Sequence, residues 1–304
     1  MSEETRSAGR SFDERIHEDG VILLDGGLGT ALMARGLPRG TPPDLWNLER
    51  GEDVTAVHRA YVEAGSEAVH ANTFGANPIR LGAFGLERDC ERINRAAVTL
   101  ARAAMPRFVL ADVGPTGEHL PPVGKGDLNR WRDAFARQAR ALADAGMDAL
   151  HIETMTDLRE ARVAFEALRA EAPGIPVLVS LTFERKKRGF FTIMGDPLVA
   201  SLRTLAADGA AVVGANCGIT SEEMAALVEE ALGGVEVPLV LQPNAGSPEV
   251  APDGSFRYAQ SPEAFAGDMA AVAARGARLV GGCCGTDERF IATLAKLLDR
   301  SGEA

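Results

Sequence analysis

The chain is short of cysteine and short of positive charge, and both shortages narrow what it can be. Only four cysteines, Cys90, Cys217, Cys283 and Cys284, occur in 304 residues. In a long chain without an export signal, so few argue for reduced thiols that are buried, catalytic or metal-bound. Lysine and arginine total 32 against 43 aspartates and glutamates, a formal charge of −11, which disfavours nucleic acid as a partner. No apolar run reaches the roughly 18 residues needed to span a bilayer. Met1–Arg15 is polar and lacks the charged-then-apolar order of an export signal, so a cytoplasmic protein with no membrane partner is expected. A full phosphate loop is missing as well: Asp25-Gly-Gly-Leu-Gly-Thr30 does not have the Gly-x-Gly-x-x-Gly spacing.

What is present is a regular alternation. Eight short apolar runs, Val21–Leu24, Ala68–Ala71, Phe108–Ala111, Ala149–Ile152, Pro176–Phe183, Ala211–Ala215, Pro238–Gln242 and Ala277–Gly282, are separated by stretches of helical spacing. Leu128, Trp131, Phe135 and Leu142, for instance, share one helical face. Asp157–Glu160 and Thr220–Glu223 have capping-box spacing, while Asp196-Pro197 and Ser261-Pro262 place a cap residue before a first-turn proline. Strands apolar on both faces and alternating with helices imply a parallel sheet covered by helices. Eight such units predict a single (β/α)8 TIM barrel rather than a doubly wound open sheet, which usually has fewer strands. Residues 1–15, without an apolar period, are expected to be a flexible N-terminal tail, and 16–304 the barrel domain.

Four of these helices end at a glycine, Gly65, Gly146, Gly209 and Gly276, read as left-handed stops. Seven residues beyond each stands a polar side chain: Asn72, Glu153, Asn216 and Cys283. Alternate barrel strands contribute side chains to a common layer, so these four are expected to ring the C-terminal mouth. His70 and His151 lie just before their strand ends and are read as packing residues, and Cys90 as an ordinary helix residue.

Gly281–Thr286 reads Gly-Gly-Cys-Cys-Gly-Thr. Adjacent cysteines make poor disulfides, which want Cα atoms about 4.4–6.8 Å apart, whereas neighbours sit about 3.8 Å apart. A metal can use both, and Cys217, also flanked by glycine, offers a third thiolate. Three protein ligands with a fourth place open is the pattern of a catalytic zinc site, since structural sites normally have four. Three thiolates make Zn2+ a poor Lewis acid for hydrolysis. They suit it to hold a substrate thiol, ordinarily of pKa about 8.5, as a nucleophilic thiolate. Attack on an electrophilic carbon, methyl transfer above all, follows.

Together, Asp25–Thr30, Ala71–Phe74, Asp112–Thr116, Glu153–Asp157, Asn216-Cys217, Gln242–Gly246 and Gly281–Thr286 resemble the homocysteine S-methyltransferase family, over about Val21 to Leu298. That family includes the homocysteine module of cobalamin-dependent methionine synthase and betaine–homocysteine methyltransferase. The resemblance implies a (β/α)8 barrel, zinc on Cys217, Cys283 and Cys284, and homocysteine or a related thiol as acceptor. It also implies that backbone N–H groups at Asp25, Gly26 and Gly27 hold the amino-acid carboxylate, and that Asp25 and Glu153 accept from the substrate ammonium. Asn72, Asn216 and Asn244 are further candidates for substrate contact.

For the donor, no Asp-x-His-x-x-Gly corrinoid signature occurs, so a methyl group is expected from a separate corrinoid protein carrying methylcobalamin, or from a small molecule. Glu153–Asp157 and Asp112–Pro115 resemble the methionine-synthase branch, and the basic, aromatic stretch Glu184–Phe191 could dock a carrier. The loop Asp25–Thr30 resembles the small-molecule branch instead. Two other readings are an aldolase or sugar-phosphate barrel, with Gly281-Gly282 on phosphate and Lys186 or Lys187 forming an imine, and a non-catalytic subunit that delivers a thiol or metal.

Overall fold

The computed structural model describes residues 10–251 and 256–301. Eight parallel strands form one sheet: β1 (Ile22–Leu23), β2 (Ala68–Ala71), β3 (Phe108–Val113), β4 (Ala149–Met155), β5 (Val177–Leu181), β6 (Val212–Thr220), β7 (Leu239–Asn244) and β8 (Leu279–Val280). They are ordered β1-β8-β7-β6-β5-β4-β3-β2, and Glu67 N–H donates to Leu23 C=O at 2.8 Å across the remaining seam between β1 and β2. The sheet thus rolls into the expected (β/α)8 barrel, with helices outside.

Each helix lays one apolar stripe on the barrel. In Leu128–Ala145 the buried face includes Trp131, Phe135 and Leu142, whereas Leu128, at the first turn, stays 40% exposed. The glycine stops are left-handed as expected, with φ of 107°, 77°, 102° and 117° at Gly65, Gly146, Gly209 and Gly276. Thr220 and Ser261 cap their helices, Thr220 in a full capping box. Two acids behave differently. Glu160 turns inward to accept both the N–H and the hydroxyl of Thr116 at 2.7 Å, and Asp196 reaches sideways to Leu158 N–H at 3.1 Å.

The lower half of the barrel is filled by side chains from every strand, among them Ile22, Phe108, Leu178, Val212 and Leu279, and by Phe12 and Ile16. This corrects the expected tail boundary. Phe12–Ile16 is a helix with a Ser11–Glu14 capping box, and Phe12 meets Phe108 edge to face with centroids 5.3 Å apart. Arg15 fastens it with a two-point ion pair to Glu67, at 2.8 and 2.9 Å. The part of the expected tail before residue 10 lies outside the described residues.

Two hairpins stand at the C-terminal end of the barrel, Glu184–Lys186 with Gly189–Phe191 after β5, and Pro248–Val250 with Phe256–Tyr258 after β7. Among the described residues no helix is long and apolar enough to cross a membrane.

Candidate active site

The ends of β4 and β6 depart from regular register, between Ile152 and Met155 and between Asn216 and Thr220. There Thr154 and Cys217 adopt left-handed backbone, φ 58° and 55°, a conformation costly for a β-branched threonine and common where function over-determines geometry. The Asn216 amide holds this arrangement. Its Oδ1 accepts Thr154 N–H at 2.8 Å and Ser180 Oγ–H at 2.7 Å, and its Nδ2 donates to Thr154 Oγ1 at 2.7 Å and to Glu153 Oε2.

Turning the chain at Cys217 brings its sulfur to the other two: the Sγ atoms of Cys217, Cys283 and Cys284 all lie within 4.8 Å of one another. Sulfurs about 2.3 Å from a tetrahedral zinc are themselves about 3.8 Å apart, so the cluster has the size such an ion needs. The double cysteine is templated by β7 and its loop. Cys283 N–H donates to Pro243 C=O at 2.8 Å, Ala245 N–H to Cys284 C=O at 3.0 Å, and Cys284 N–H to Asn244 Oδ1 at 3.1 Å. Hydrogen bonds from Cys283 and Cys284, with further help from Gly218 N–H and Asn244, hold Cys217 down to about 3. The same sharing pushes Cys283 well up and Cys284 up to about 12. The sharing thus favours the thiolate at Cys217 over Cys283 and Cys284.

The carboxylates lie below and beside the sulfurs. Asp25 is buried, accepting His70 N–H on Oδ2 at 2.8 Å and facing His70 Nδ1 through Oδ1 at 2.6 Å. Burial, then the charge of the facing Glu153, pushes Asp112 well up. Burial likewise raises Glu153, which keeps some exposure at the rim. Asp112 Oδ1 has no hydrogen-bond partner among the described residues.

Of the residues singled out from sequence, Cys217, Cys283 and Cys284 converge, and Glu153 and Asn216 are in contact. Gly27 is not a free donor, because its N–H goes to Thr286 C=O and Oγ1, both at 3.1 Å, whereas Gly26 N–H makes no hydrogen bond among the described residues. Asn72 stands apart, its Nδ2 donating to Pro43 C=O at 2.8 Å and Asn47 Oδ1 at 2.9 Å. His70 and His151 are more than packing: they are hydrogen-bonded to each other at 2.9 Å. Cys90 is, as expected, a buried helix residue, with Sγ 3.3 Å from Ala76 C=O. Lys186 is exposed and paired with Glu184.

Four contributors had no role assigned from sequence. Thr286 latches the β1 loop, and Tyr61 hydroxyl supports it by donating to Thr286 C=O at 3.1 Å. Tyr258, on the second hairpin, packs its ring against Gly285 beside Cys284 and is pushed up by burial and by that sulfur's charge. Thr154 was visible only as the residue after Glu153. The closing threonine of Gly-Gly-Cys-Cys-Gly-Thr was in view without a partner; Tyr258 carries no local signal.

A closed parallel barrel whose C-terminal mouth gathers three thiols beside buried carboxylates defines a class of barrel enzymes built around a thiol cluster able to hold a metal. The chain belongs to the homocysteine S-methyltransferase family, whose model matches residues 22–298. It is 30% identical over 294 residues to the methionine synthase of Mycobacterium tuberculosis, covering 90% of this chain and 24% of that one. The methionine synthase of Mycobacterium leprae is also 30% identical, over 302 residues, with coverage of 93% and 25%. The chain therefore spans about a quarter of the length of these relatives. Among solved structures, the metallated form of the homocysteine methyltransferase MmuM from Escherichia coli superposes with a TM-score of 0.75 at 28% identity, covering 92% of this chain and 96% of that one. The oxidized form of MmuM gives a TM-score of 0.76 at 26% identity, with the same coverage.

Proposed function

We propose that the chain is a zinc-dependent methyltransferase that converts homocysteine to methionine. The observation that carries this reading is the convergence of the Cys217, Cys283 and Cys284 sulfurs at the barrel mouth. Three sulfurs of that spacing fit a zinc ion with one coordination place left for substrate. When bound, zinc supplies a lowered thiol pKa, so that the acceptor sulfur is a thiolate at neutral pH.

The chain's own residues bind and orient the amino-acid end. Glu153 and Asp25 are the ammonium acceptors, and the unpaired Gly26 N–H serves the carboxylate. Gly27, Asn72 and Asn216, whose donors are engaged within the fold, shape the site rather than touch substrate. Tyr258 and the hairpin that carries it cover Cys284 and limit water at the sulfurs.

For the donor, the reading is methylcobalamin on a separate corrinoid protein. The likeness to methionine synthases supports it, as does the hairpin at Glu184–Phe191, which exposes Arg185, Lys186, Lys187 and Arg188 in a chain of net charge −11. A small-molecule donor such as betaine or S-methylmethionine is the second reading, favoured by the loop Asp25–Thr30 and by the likeness to MmuM over nearly that protein's whole length. The test is a donor panel with homocysteine: a methylated corrinoid protein, betaine, S-methylmethionine and S-adenosylmethionine, each assayed for methionine. Turnover with the corrinoid protein alone is expected. Turnover with a small molecule alone would move the chain to the second reading, and none with any donor would favour a thiol-delivery subunit.

A further inference from the structure

Below the thiols an unbroken run of hydrogen bonds crosses the barrel from β1 to β6. Asp25 Oδ1 lies 2.6 Å from His70 Nδ1, His70 Nε2 lies 2.9 Å from His151 Nδ1, and His151 Nε2 lies 3.0 Å from Ser180 Oγ. Ser180 Oγ lies 2.7 Å from Asn216 Oδ1. All five side chains are buried, so no water replaces a missing hydrogen.

The direction of each bond can be assigned from one end. A backbone N–H only donates, so the Asn216 atom that Thr154 N–H meets at 2.8 Å is the amide oxygen. An amide oxygen only accepts, and the Ser180 hydroxyl therefore gives it its single hydrogen. Ser180 Oγ is then an acceptor toward His151. Three gaps remain, Ser180 to His151, His151 to His70 and His70 to Asp25, and each needs one hydrogen. Two neutral imidazoles bring only one apiece. The third is an additional proton, held inside the barrel.

We propose that this proton makes His70 a buried imidazolium, and that His70 is the positioning residue for both ends of the site: Asp25 directly, and Asn216 through His151 and Ser180. The titratable groups facing His70 are Asp25 just after β1, His58 on the helix Gly51–Glu63, and His151 and Glu153 on β4. Burial opposes a charge on His70, but Asp25 and then Glu153 outweigh it. Burial and the neighbouring His70 both hold His151 well down. The ring nitrogens of His151 meet His70 and Ser180 rather than a carboxylate, so the charge belongs on His70 and His151 is the neutral Nε2–H tautomer. The consequence for substrate binding rests on the amino-acid role of Asp25 proposed above; the protonation pattern does not.

The test is two-bond 1H–15N spectroscopy of histidine-labelled protein from pH 5.5 to 8.5, with signals assigned through His70→Gln and His151→Gln. Expected are two protonated ring nitrogens on His70 throughout and a hydrogen on Nε2 alone of His151. A bare ring nitrogen on His70 at neutral pH, or a hydrogen on Nδ1 alone of His151, would overturn the proposal. Ser180→Ala removes the acceptor that fixes the His151 tautomer. In that variant His70 should begin to titrate within the range, and the KM for homocysteine should rise about five- to tenfold with a smaller change in kcat; Ser180→Thr should restore both. A His70 that stays charged in Ser180→Ala would refute the coupling through His151. The expected spectra with an unmoved KM would leave the imidazolium standing and sink the ammonium role of Asp25.

Discussion

Thr286 accepts the one N–H of Gly27 on two oxygens, its carbonyl and its hydroxyl, both at 3.1 Å. The contact clamps the loop after β1 onto the loop after β8, and it leaves no space for a side chain. A Cβ on Gly27 would lie 2.5 Å from Cys283 O and 2.6 Å from Thr30 Oγ1. Gly27→Ala should therefore destabilise the fold by about 1–3 kcal/mol and weaken metal binding by shifting Cys283. Urea unfolding and a zinc titration check both, and wild-type values in the two together would show that the loops part without cost.

Cys283→Ala should lower bound zinc from about one ion per chain to a small fraction of that, and methyl transfer with it. Cys90→Ala should retain the metal, because Cys90 sits against Ala76, away from the cluster. Metal analysis of the purified variants distinguishes them. Equal zinc in Cys283→Ala and wild type would remove the cluster from the chemistry.

Phe12→Ala should cost about 3–5 kcal/mol by opening a cavity at the closed end of the barrel. The site lies at the opposite end, so the KM for homocysteine should hold below the melting temperature. Thermal unfolding followed by circular dichroism gives the first quantity. A shift no larger than that of an exposed substitution would restore the loose-tail view of Phe12.

His58 is fully buried with neither ring nitrogen hydrogen-bonded among the described residues, and burial pulls it down to about 4 from 6.5. Between those values the unfolded chain takes up a proton that the folded chain does not, so this residue lowers stability as pH falls from 6.5 toward 4. The full effect is about 3 kcal/mol. Asp44 works the other way: burial lifts it to about 6 from 3.8, so the folded state binds the proton first and gains stability as pH falls through 6. The two nearly offset in the wild type. His58→Leu should expose the Asp44 contribution, becoming more stable relative to wild type by about 3 kcal/mol between pH 7 and pH 4. Denaturation midpoints at the two pH values measure it, and an unchanged difference would place the acid sensitivity elsewhere.

The barrel was legible because its evidence is local and repeated: each strand is a short apolar run, and each of Gly65, Gly146, Gly209 and Gly276 stops a helix by its own backbone conformation. The thiol cluster was legible because adjacent cysteines have few other uses. What sequence missed depends on partners far away in the chain. Phe12 and Ile16 make one turn, too short to show a period, and they are buried only because all eight strands surround them. Gly27 looked like a free donor until Thr286, 259 residues on, was seen to take its N–H. His70 and His151 each lie five residues past a glycine stop, yet nothing in that spacing announces a bond between them, and Ser180 follows none of the four stops; the curvature of the sheet across β2, β4 and β5 lines the three up.

Arg278, at the approach to β8, reaches back to the carbonyls of Ile16 and Arg15 at 3.2 and 3.1 Å, so the last strand locks onto the first helix. During synthesis that lock comes late. Until residues 279–284 have emerged, the nascent polypeptide has Cys217 but neither of the sulfurs that converge on it, and the cylinder lacks its final stave. On the proposed zinc reading, loading of the ion is thereby postponed until assembly is finished, which would make occupancy of the cluster a certificate that the whole ring has closed.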